Sequence, residues 1–138
     1  MTNTAAADAR NQETPKKWML WTGWGLSALP ILMMLFSASM KLSHNPQMTD
    51  ALVHKFGYAE SAALGIGVVE LLCVLLFAIP RTAVLGAILI TGYLGGAVAT
   101  HVRVNDNFVA PLLLGVVAWA GLYLRDARLR ALLPLRQP

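Results

Sequence analysis

The sequence predicts an all-α integral membrane protein, a four-helix bundle of antiparallel, up-down topology with a short amphipathic helix in the loop between spans one and two. Three observations carry this expectation. Four apolar runs, at about 18–40, 61–79, 82–100 and 108–124, are each about 17–23 residues long, the length that crosses ~30 Å of hydrocarbon in an α-helix. A mean hydropathy of +0.57 with 57% hydrophobic residues exceeds the roughly 45–50% of a soluble domain. The charges, finally, are concentrated between and beyond the runs, with the exception of Glu70 at the middle of the second.

Each element follows from local chemistry. Residues 1–16 are Ala-, Asn- and Thr-rich without periodicity, which predicts a disordered cytoplasmic tail. A transmembrane domain is expected over 17–133, followed by a short tail, 134–138. Trp18, Trp21 and Trp24 beside Lys16 and Lys17 form an interfacial anchor at the start of span one. The run is too long for the apolar region of a signal peptide, so a retained helix is expected. Pro30 lies inside it and predicts a kink, with a freed carbonyl near residue 26. Asn45-Pro46 marks a turn, and Met48, Leu52, Val53 and Phe56 recur at helical spacing, which predicts an amphipathic helix in the outer interface, ended by Gly57. Pro80-Arg81 is the whole connection between spans two and three, so those spans are antiparallel neighbours. Residues 102–107 form a polar hairpin, and the Arg125–Arg130 stretch continues helically, its arginines against anionic headgroups.

Charge fixes the expected orientation. With four spans, Arg10, Lys16, Lys17, Arg81, Arg125, Arg128, Arg130 and Arg136 fall on one side, and only Lys41, Lys55 and Arg103 on the other. The positive-inside rule places both termini in the cytoplasm of a bacterial inner membrane. The net charge of +4 is spread along span ends and forms no groove-lining patch, so no nucleic-acid partner is expected. Lipid is the expected surrounding, and a membrane-protein partner is compatible with it. Cys73 has no second cysteine with which to form a disulfide or a redox pair.

Small residues allow helices to approach in lipid. Gly92 and Gly96 with Thr100, Gly65, and Gly23 with Ser27 are therefore expected at internal packing surfaces. Depth arithmetic puts Glu70 roughly 16 Å below the outer face and Tyr93 about 10 Å below it. Side chains lean toward their helix's N-terminus, so Glu70 leans outward while Lys41 and His101 lean inward. Lys41, Glu70, Tyr93 and His101, with Arg103 nearby, are thus expected to converge on one pocket in the outer half of the bundle. An ionisable group at such depth requires a partner, and marks either a ligand site or a packing device. His44, His54 and His101 lack metal-ligand spacing, and no catalytic set is identified.

Phe36-Ser37-Ala38-Ser39-Met40-Lys41-Leu42, Gly65-Ile66-Gly67-Val68-Val69-Glu70-Leu71, the Ile79–Gly86 segment and the Gly92–Arg103 segment resemble the DoxX-like family of small bacterial four-helix membrane proteins. The resemblance spans about residues 20–135. It implies a membrane-embedded helical bundle in which Lys41, Glu70 and His101 are the polar landmarks. The wider group includes a subunit of a thiosulfate:quinone oxidoreductase and proteins linked to thiol-stress tolerance. A thiol-exchange mechanism does not carry over, since Cys73 is alone. The expected function is binding of a hydrophobic ligand, a quinone or a lipid, in an outer-leaflet pocket, as an accessory to redox chemistry and without independent catalysis. The alternative is a non-catalytic scaffold or assembly subunit. A transporter is a weaker third reading, because no inverted repeat is visible.

Overall fold

The computed structural model describes residues 15–132, and these residues are all-helical. The expected tails of residues 1–14 and 133–138 lie outside them. Among the described residues six α-helices follow in order: α1 (Lys17–Leu42), α2 (Pro46–Asp50), α3 (Ala62–Ala78), α4 (Ala83–Arg103), α5 (Val109–Arg125) and α6 (Ala127–Leu132). A π-type turn, Ala51–Lys55, extends α2. The four apolar runs correspond to α1, α3, α4 and α5. Of these, α1 and α4 are long and apolar enough to cross a membrane, and α3 and α5 are shorter apolar helices.

Packing follows the small residues. Helix α1 packs on α3 and α5, and α4 packs on the same two. At Gly23 an added Cβ would sit 2.7 Å from the Arg125 nitrogen and 2.8 Å from the Gly121 carbonyl, so α1 and α5 are in backbone contact. At Gly86 it would overlap the Phe77 backbone nitrogen, which joins α3 and α4 equally closely. Thr82, just before α4, donates its hydroxyl to the Leu76 carbonyl at 2.8 Å and so ties the tight turn at Pro80-Arg81. The apolar core between the helices contains Met34, Val74, Phe77, Ala87, Ile90, Ala118 and Leu122.

Three expectations change. Gly92, Gly96 and Gly65 meet nothing within 4 Å of an added Cβ, so they are not packing surfaces. Gly23 and Ser27 do pack as expected, against Gly121 of α5. Periodicity identifies residues that share a face but not the element opposite that face. The stretch after Leu124 is not one continuous helix: Asp126 is extended, its Oδ1 accepts from the Arg128 and Leu129 amides at 2.9 and 3.3 Å, and α6 starts afresh. Arg125 is buried at 8% exposure rather than facing headgroups, because its guanidinium is drawn inward to the Phe77 carbonyl. Helix α1 continues through Pro30, which is buried.

Polarity is distributed inside out. Leu32, Phe36, Leu72, Ile88 and Val116 are all more than half exposed, whereas Lys41, Glu70 and Arg125 are buried. In water an apolar belt of this kind would drive association.

Candidate functional site

Two residues on α1 and one on α3 form the polar centre. Ser37 and Lys41 are one turn apart, and so on the same helix face. Gly67, one turn before Glu70, lets α1 come close: a Cβ there would lie 2.9 Å from the Lys41 Cβ. The Lys41 ammonium then reaches Glu70 Oε2 at 2.8 Å, with side chains only 8% and 4% exposed. Lys41 also donates to the Ser37 hydroxyl at 2.5 Å, and Ser37 donates to the same Oε2 at 3.2 Å. The desolvated charges are thus opposed and hydrogen-bonded, which burial of an ion pair requires.

This centre forms one wall of a cavity of about 570 Å³. Apolar walls come from Met33 and Met34 of α1, Ile66 of α3, Leu114 of α5 and, from the α2 segment, Met48, Leu52 and Phe56. Gly92 and Gly96 supply the α4 wall, where their missing side chains leave open space. Tyr93, Thr100 and His101 add polar groups to the same space. The Met48–Phe56 segment therefore directs Met48, Leu52 and Phe56 into this cavity. The π-type turn at Ala51–Lys55 shifts their register within it.

Side-chain tethers close the rim. Tyr58 and Thr100 share a hydrogen bond between hydroxyls of 2.7 Å. The Lys55 ammonium meets Asp106 Oδ2 at 2.8 Å. Arg103 donates to the Phe56 carbonyl, and its guanidinium carbon lies 5.8 Å from the centre of the Tyr58 ring. His101 donates from Nδ1 to the Ala97 carbonyl at 2.8 Å, and its ring lies 4.9 Å from that of Phe56. The Lys55 partnership draws the Asp106 carboxyl below its ordinary value of 3.8.

Lys41, Glu70, Tyr93 and His101 thus line one space, whereas Arg103 is turned to the loop at its rim. Ser37 escaped the sequence reading. Its signal was the i, i+4 spacing to a lysine at the end of an apolar run. The tethers through Lys55, Tyr58 and Asp106 had no local signal, because their partners lie more than 40 residues away along the chain. Among the described residues, no group of three His, Cys, Asp or Glu side chains is placed to hold a metal ion. Residues 25–121 match the model of the DoxX-like family. No curated protein and no solved structure matches the chain.

Proposed function

Because the chain belongs to the DoxX-like family, we propose that it is a small multi-pass inner-membrane protein that binds a hydrophobic ligand with a polar head, a quinone or a lipid, in an outer-leaflet cavity. The four long helices are its antiparallel spans, with both termini cytoplasmic. The pairwise packing of α1 and α4 against α3 and α5 supports this arrangement, as do the short connections between consecutive helices.

The observation that carries the ligand reading is the unfilled space beside a buried ion pair. A scaffold needs Lys41 and Glu70 only to fix helix register, and its core would be filled. Here about 570 Å³ stays open, within the range of small-molecule sites, and mostly apolar residues wall it. Both hydrogen bonds to Glu70 fall on Oε2, which leaves Oε1 to accept from a quinol or lipid hydroxyl. Tyr93 offers a hydroxyl donor to a ligand carbonyl, and His101 Nε2, left an acceptor by the Nδ1–H bond to Ala97, suits a ligand hydroxyl. The protein itself supplies position and polarity, and any electron transfer belongs to a redox partner.

The test is mass spectrometry of quinones and lipids retained by the purified full-length protein, beside the Gly96→Leu variant. The added side chain would occupy open space, so the variant is expected to fold with unchanged thermal stability. It should retain at least tenfold less ligand than the wild type. Equal retention in the two proteins, or none in either, would favour the scaffold.

A further inference from the structure

Arg125 closes α5 with 8% of its surface exposed, and among the described residues no carboxylate lies within 4 Å of its guanidinium. Its guanidinium lies beside two aromatic rings, with the central carbon 4.2 Å from the Trp24 ring centre and 4.8 Å from that of Phe77. One amino group donates to the Phe77 carbonyl at 2.7 Å. Nε, fully buried, has no hydrogen-bond partner among the described residues. A guanidinium carries five N–H donors, and a desolvated cation supported by one backbone acceptor is costly.

Beside it opens a cleft of about 340 Å³ lined by Leu20, Trp24, Pro80, Leu122, Arg125 and Arg128. The donors of a guanidinium lie in its plane, so new hydrogen bonds form at its edges. That planar fork matches an oxyanion bidentately. One carboxylate, Asp126, shares the cleft, but it is held by the Arg128 and Leu129 amides and has the Arg128 Nε 3.7 Å away. The Arg128 side chain is 80% exposed, so its contact with Asp126 is open to solvent and exchangeable for another oxyanion. Leu20 and Trp24 add partly exposed apolar surface at the mouth.

We propose that this cleft is a phosphate-binding site, with the edge of Arg125 holding the phosphate oxygens and Arg128 closing over them. A buried cation with more donors than its one acceptor uses and adjoining space converge here, at the opposite end of α1 from Lys41. The site therefore stands independently of the ligand assigned to the larger cavity. The phosphate comes either from a lipid headgroup or from a free anion.

Thermal unfolding of the full-length protein in neutral detergent distinguishes these sources, with dioctanoyl phosphatidylglycerol, dioctanoylglycerol and inorganic phosphate as probes. Stabilisation by the phospholipid but not by the diacylglycerol is expected. Stabilisation by inorganic phosphate as well identifies a free anion as sufficient, and its absence identifies the lipid. Arg125→Lys should raise the half-saturating phospholipid concentration about tenfold, because an ammonium cannot replace the fork. Arg128→Gln, at an exposed position that leaves the fold intact, should raise it about threefold. Equal responses to phospholipid and diacylglycerol in the wild type, with no response to inorganic phosphate, would overturn the assignment.

Discussion

Glu70 is 3% exposed, so a substitution that removes its charge strands the Lys41 ammonium in a desolvated site. Breaking such a pair costs about 3–5 kcal/mol, whereas replacing both members with apolar groups of similar volume is often neutral or stabilising. Glu70→Ala and Lys41→Ala should each lower unfolding stability in detergent by about that amount, and the Lys41→Met/Glu70→Leu double variant should recover most of it. If the double variant is as damaged as either single one, the pair is not the origin of the cost. In the double variant ligand retention should still fall, because the Glu70 oxygens are lost. Sequence alone indicated that a mid-run acid needs company, and depth arithmetic brought Lys41 near it. Arg125 was not legible in the same way. An arginine at the end of an apolar run ordinarily reaches headgroups, and the pull of the Phe77 carbonyl, 48 residues away, leaves no trace in local pattern.

Among the helices, glycines of one type do two opposite things. An added Cβ at Gly86 would overlap the Phe77 backbone, and backbone cannot rotate aside. Gly86→Ala should therefore destabilise by at least about 1–3 kcal/mol, the usual cost of overpacking. Gly92 meets nothing within 4 Å, so Gly92→Ala should leave stability within about 1 kcal/mol, or raise it through better helix propensity. Denaturant titration of both variants checks the contrast, and equal losses would contradict it. Helix existence, and ends to within about three residues, were legible because a 3.6-residue period and run length encode them. The roles of the glycines were not, because a smooth face suits an open cavity as well as a close neighbour. The loop that tops the cavity carries its own pH response. The Lys55 ammonium holds the Asp106 carboxyl below its ordinary value, so this contact is present above about pH 4 and is lost as pH falls through the depressed native value. Hydrogen-exchange protection of residues 51–58 should fall in that acid window. Asp106→Asn should lack this step and show lower protection already at neutral pH.

For the molecule as a whole, the inside-out polarity has a consequence for orientation. Exposed apolar side chains girdle all four long helices, while the buried cations Lys41 and Arg125 sit at opposite ends of the α1–α5 framework. The cationic asymmetry of the flanks then decides which end faces the cytoplasm. Arg81, Arg128 and Arg130 belong to the end that holds Arg125, and Glu60 and Asn105 to the end that holds Lys41. In a Cys73→Ala background, single cysteines at Glu60 and Asn105 should react with a membrane-impermeant maleimide in intact spheroplasts. A cysteine at Arg81 should react only after lysis. Labelling of Arg81→Cys in intact spheroplasts, with Glu60→Cys and Asn105→Cys protected, would reverse the molecule. The larger cavity would then open toward the cytoplasmic leaflet and the Arg125 cleft toward the outer one. Because the two cavities occupy opposite ends, this labelling pattern determines which leaflet would supply the ligand proposed for each.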